Sequence, residues 1–165
     1  MSGKHMAAKH LLGEAGSALR ENNLFVTKLF VDRALPLLDP NSENPDELDD
    51  YASALQMKAC CNEMSNGDHE ESVKLLEESI RIEEAILSLK TDHYLQASYI
   101  NMAQKYCAVE NYPKAFEYAQ KVDIDSMLDD EEKVKLVLTL VNVYELISNC
   151  ADNKIKEITI RTGLR

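Results

Sequence analysis

Helix-start and helix-stop signals recur along this chain in regular pairs, and they leave room for little besides helices. Residues 7–20 read as a first helix, broken by Asn22 and Asn23. A second runs from about Leu24 to Leu37, with Leu24, Lys28, Val31 and Leu35 near one face. Pro36 has no amide proton and clashes with the preceding turn, so it kinks or ends that helix. After an acidic loop, Asn44-Pro45-Asp46-Glu47 has the form of a capped start, with Glu47 placed to reach back to the cap. That third helix runs to about Met64. Asn66-Gly67 is a turn, and Asp68 with Glu71 opens a fourth helix carrying Val73, Leu76, Ile80 and Leu87 to about Leu89. Thr91 caps a fifth over 92–109, Asn111 opens a sixth over 112–122, and Asp129 with Glu132 starts a seventh ending near Ile147. Only Ile155–Ile160 has a strand-like look, but it does not alternate cleanly and reads equally as a short helix.

The punctuation is sparse. With 5 Gly and 4 Pro in 165 residues, elements must be long, and the short connections make successive helices antiparallel neighbours. The expected fold is all-α, with about seven helices in stacked antiparallel hairpins and a C-terminal tail. Residues 1–6 are expected to be a tag remnant or disordered start, 7–148 the helical domain, and 149–165 a basic tail or capping segment. A hydrophobic content of 45% suits a folded domain of this length.

Charge narrows the function classes. The net charge is −11, yet Lys154, Lys156, Arg161 and Arg165 face only Glu157 in 153–165, so the rest of the chain is more acidic still. Such a body repels phosphate backbones and anionic lipid, which argues against nucleic-acid and membrane-surface partners. No apolar run reaches the roughly 18 residues needed to span a bilayer. Cys60, Cys61, Cys107 and Cys150 fit no zinc spacing and read as reduced thiols of a cytoplasmic protein.

The pairs also repeat. Tyr99, Met102, Ala103 and Tyr106, followed by Asn111-Tyr112 and Ala115, resemble the tetratricopeptide repeat, which places a large residue, a Leu-Gly-like pair, an aromatic and a small residue in that order. Ser72 and Thr27 occupy the small slot in earlier copies. Ala34-Leu35 resemble the family's Ala-Leu pair, and Val137, Leu140, Val141 and Tyr144 match first-helix slots again. The small slots recur about every 44 residues against about 34 in the standard repeat. That length is similar to the long repeats of kinesin light chains, with Ile82-Glu83-Glu84, Thr91-Asp92-His93 and Ser98–Ala103 the nearest stretch. The resemblance spans about 7–148 and implies a short right-handed solenoid that binds protein.

It implies further that first helices line a concave groove. Slot mapping places Leu12, Gly16 and Leu19 there, then Met57, Cys61 and Met64, then Ile100, Gln104 and Cys107, then Leu138, Asn142 and Glu145. Methionines and aliphatics suit a groove that holds a peptide or amphipathic helix. The competing reading makes the same stripe ordinary core. A clamp for a terminal carboxylate is not implied, because Leu12 and Gly16 stand where it needs Lys and Asn; only Asn101 and Lys135 fit it.

Catalysis and cofactors are not expected. His10, His69 and His93 lie on different hairpins, and no nucleophile–base pair or phosphate loop is apparent. Asp129–Glu132 is better explained by the dipole of a helix start than by a metal, and chelators are expected to leave stability unaltered. The expected function is an adaptor or scaffold for a protein or peptide partner. The alternative is a piece of a larger helical assembly that self-associates, as a homo-oligomer, through its terminal faces. Ile155, Ile158, Ile160 and Leu164 are too apolar for a freely solvated tail. The tail is expected to pack on the seventh helix, to plug the groove, or to begin a further repeat.

Overall fold

The computed structural model describes residues 2–66, 69–87, 94–123, 134 and 137–151, and every regular element among them is helical. The chain divides into two compact units, Met1–Thr91 and Asp92–Arg165. The first unit holds α1 (Gly3–Arg20), α2 (Leu24–Ala34), a single 3-10 turn (Leu35–Leu37), α3 (Pro45–Asn66) and α4 (His69–Leu87). The second holds α5 (Tyr94–Ala108), α6 (Tyr112–Gln120) and α7, the helical residues 137–151. Among the described residues no helix is long and apolar enough to cross a membrane. The strand-like stretch 155–160, the Asp68 and Thr91 caps and the start of the seventh helix lie outside the described residues.

α1 begins earlier than expected. Residues 1–6 are expected to be a tag remnant or disordered start, yet the Ser2 hydroxyl accepts the His5 amide at 3.1 Å and helix follows from Gly3. The reason is that His5 continues the apolar stripe of Ala8, Leu12 and Ala15, at helical spacing of three and four. Its ring is fully buried, and Nε2 donates to Asp50 Oδ2 of α3 at 2.7 Å, while Nδ1 has no hydrogen-bond partner among the described residues. Asp50→Ala would leave both ring nitrogens buried and unsatisfied. It should cost about 1–3 kcal/mol in urea unfolding, with Asp50→Asn, which keeps an acceptor, costing less. Equal, negligible effects of both substitutions would show that α1 does not dock through this contact.

Ala8, Leu12, Ala15, Val31, Ala34, Leu38 and Ala54 make one core cluster of this unit, and Ala52, Leu55, Ile82 and Ile86 another. α2 stops at Ala34 and tightens into the 3-10 turn that contains Pro36, as its missing donor requires. Glu47 departs from the expected capping box. Its carboxylate accepts the Ser42 hydroxyl at 2.9 Å and the Asp39 amide at 3.3 Å, so it ties the preceding loop to α3 instead of capping Asn44. α3 and α4 run antiparallel, joined across their seam by two hydroxyls: Ser72 donates to the Ala59 carbonyl and Ser79 to the Ala52 carbonyl, both at 3.1 Å. Small residues on both sides let the backbones approach closely enough for this.

The turns α1–α2 and α5–α6 are built alike. Asn22 and Glu110 both take φ 58°. The next residues, Asn23 and Asn111, cap the following helix by accepting the amides of Val26 and Lys114. Their own amides donate to Ala18 and Tyr106, each at 2.8 Å, and their carbonyls accept from Thr27 and Ala115, each at 3.0 Å. Thr27 and Ala115 are fully buried, as is Ser72 in the intervening hairpin. Bond for bond, the same device closes both hairpins, and the small residue falls at the same step after each cap.

In the second unit a tyrosine seam joins α5 to α6. Tyr118 stacks on Tyr106 with ring centroids 5.6 Å apart and lies 6.4 Å from Tyr99. Phe116 meets Tyr144 of α7 edge-on at 6.2 Å. Gln96 accepts the Asp123 amide at 2.6 Å, which fixes the chain leaving α6.

Candidate functional site

The twelve groove positions divide by unit. In the first unit Leu12 belongs to the core and Cys61 is fully buried, its thiol directed at the Leu24 carbonyl. Met57 packs half-buried against the same core, and a Cβ on Gly16 would sit 3.8 Å from its terminal methyl. Leu19 is half-buried. Met64 is exposed, its sulfur 3.7 Å from the Cys60 thiol one turn back. Leu12 and Cys61 therefore face inward and offer a partner nothing; for them the core reading holds.

In the second unit Ile100 is also fully buried. Gln104, Cys107 and Asn142, by contrast, come together. They line a cleft of about 340 Å³ with Ala108, Val143 and Leu146, α5 supplying one wall and α7 the other. Leu138 and Glu145 are exposed and do not line the cleft; on a helix turning about 100° per residue they point away from Val143, with Leu138 one turn before Asn142. Ala108, Val143 and Leu146 were not anticipated. Ala108 and Leu146 lie four residues after Gln104 and Asn142, so one more turn along each predicted stripe would have found them.

Two carboxamides, Gln104 and Asn142, stand exposed above a floor of Ala108, Val143, Leu146 and the Cys107 thiol. Each carboxamide offers donors and an acceptor, the pair of functions that a peptide backbone presents. Burial pushes the Cys107 thiol above its usual pKa, so at neutral pH it stays protonated and contributes soft apolar surface. In the first unit, burial likewise pushes Cys61 up, with Cys60 and Asp32 adding to it and Lys28 opposing. Iodoacetamide at mildly alkaline pH should therefore label Cys60 and Cys150, both partly exposed, roughly tenfold or more faster than Cys61 and Cys107. Equal rates, read by mass spectrometry of the labelled peptides, would contradict the burial of the latter two.

Other chemistry finds little footing. His10 is exposed on α1, and His69, half-exposed on α4, lies 3.3 Å from Glu63. No group of three His, Cys, Asp or Glu side chains among the described residues could hold a metal ion. Asn101, one of the two clamp-like positions, is exposed. His93, Lys135 and Asp129–Glu132 lie outside the described residues. Comparison with known proteins finds no family model and no curated protein that matches this chain.

Proposed function

We propose that this chain is a protein–protein interaction module of tetratricopeptide-like construction, an adaptor or scaffold whose second unit holds a peptide or amphipathic helix of a partner. The observation that carries this is the α5–α7 cleft: an apolar floor with a carboxamide on each wall, of a size to take one or two side chains while Gln104 and Asn142 meet the backbone beside them. The matching α1–α2 and α5–α6 turns support the repeat construction, because the same hydrogen bonds recur at the same steps. The reading places the activity in the cytoplasm, with no cofactor and no catalytic step. Its net charge of −11 favours protein over nucleic acid as the partner.

The test is a blocked cleft. Ala108 lines the cleft, is exposed, and ends α5, so Ala108→Arg fills the space without disturbing the core. A partner captured from the native cell extract by the full chain should bind Ala108→Arg and Asn142→Arg at least about tenfold more weakly, a loss of about 1.4 kcal/mol. Undiminished binding by both variants, with helicity intact, would move the binding function away from this cleft.

A further inference from the structure

α7 is apolar on the wrong side as well as the right one. Leu140 and Val143 are buried, at 7% and 1% exposure, while Leu138 and Val141 remain 61% and 47% exposed. At about 100° per residue, Leu138, Val141 and Glu145 gather on the side of the helix opposite Val143. A helix that packs on one face normally turns polar residues to solvent on the other. Here Glu145 is the sole charged residue of 137–151, and it sits in the middle of that outer stripe. The stripe lies opposite Val143 but borders the cleft at Asn142, one turn after Leu138.

The sequence that leaves α7 has the composition to cover it. Residues 152–165 lie outside the described residues. They carry Ile155, Ile158, Ile160 and Leu164, with Lys154, Lys156, Arg161 and Arg165 against Asp152 and Glu157. Fourteen residues can extend to about 46–50 Å, whereas the fifteen of 137–151 span only about 22 Å. A chain reversal and a full pass along α7 are both within reach. The tether keeps this segment at millimolar-order effective concentration beside α7, an advantage no separate partner has. Its charge is opposite to that of Glu145 and of the chain as a whole.

We infer that residues 152–165 fold back along α7 and cover the Leu138–Val141–Glu145 face, isoleucines against Leu138 and Val141 and a basic side chain beside Glu145. The covered face borders the cleft at Asn142, one turn after Leu138. Exchange of the segment's own amides reads the cover alone, so the cover can fail without the function proposed for the cleft failing.

Hydrogen–deuterium exchange on the full chain, read by mass spectrometry, tests it. Amides of 152–165 should exchange at least about tenfold more slowly than in a synthetic peptide of the same sequence. Leu138→Ser/Val141→Ser should return them to the free-peptide rate while α5 and α6 keep their protection. If that variant loses protection in α5 and α6 as well, Ile155→Ser/Ile158→Ser decides, since it leaves α7 untouched. Release of the segment and faster exchange in α7 would then uphold the cover, and unchanged exchange in both would overturn it. Three further results overturn it. These are free-peptide exchange in the unmodified chain, protection that survives loss of Leu138 and Val141, or protection that grows with protein concentration and so marks a second copy on this face.

Discussion

Ile100→Ala lowers the unfolding free energy by about 2–5 kcal/mol, as expected where a large aliphatic side chain leaves a cavity that its surroundings cannot close. Ile100 is fully buried, and so are its near neighbours Met102 and Ala103 on the same helix. The loss has two sources, the transfer free energy of the removed carbons and the contacts forfeited around the void. Phe25→Ala is the control. Phe25 is 79% exposed on α2, and its truncation should change stability by no more than about 0.5 kcal/mol. Urea unfolding followed by far-ultraviolet circular dichroism measures both. If Ile100→Ala costs no more than Phe25→Ala, Ile100 belongs to an accessible groove and not to the interior.

The Ile100 comparison shows where a sequence stops informing. A 3.6-residue stripe identifies a helix face but not whether that face meets another helix or solvent. Leu12, Cys61, Ile100 and Cys107 are buried while Gly16 and Gln104 of the same stripes are not, and only the packing of neighbouring helices separates them. The cleft is a tertiary object in the same sense. Gln104, Cys107 and Asn142 stand on helix faces that the sequence pattern already marks, whereas Val143 enters through the separation of α5 and α7, which no single segment encodes.

Local chemistry was the most legible part of the fold. Asn111 opens α6 because a carboxamide can accept an amide three residues on, and Pro36 ends α2 because it lacks a donor; Asn23, read from the sequence only as a helix break, caps α2 in the same way. Glu47 was misplaced for the complementary reason. Its spacing from Asn44 allowed a reciprocal cap, but Ser42 and Asp39 offered competing donors once the loop had folded back. His5 was missed with the whole of residues 1–6. Residues 1–6 read as a tag remnant or disordered start, and only Asp50, distant in sequence, supplies the partner that makes the burial of His5 tolerable.

The hairpin construction itself is open to a direct challenge through Ala103→Leu. Ala103 and Ala115 are both fully buried in the α5–α6 hairpin, and so are Ala15 and Thr27 at the same steps of the α1–α2 hairpin. Small side chains at these steps let paired helices approach, so a leucine must push backbone or neighbouring side chains out of place, at a cost of about 1–3 kcal/mol or more. For a chain of this size that corresponds to a melting temperature lower by about 2–12 °C. Ala15→Leu should cost a similar amount, since the two hairpins are closed by the same hydrogen bonds around Asn23 and Asn111. Ala108→Leu, on the same helix as Ala103 but exposed at the cleft, should leave the melting temperature nearly unchanged. This ordering separates crowding at a helix–helix seam from any general intolerance of leucine in α5. A melting temperature unaffected by Ala103→Leu would mean that α5 and α6 do not meet at Ala103, and the register that pairs the two hairpins would fall with it.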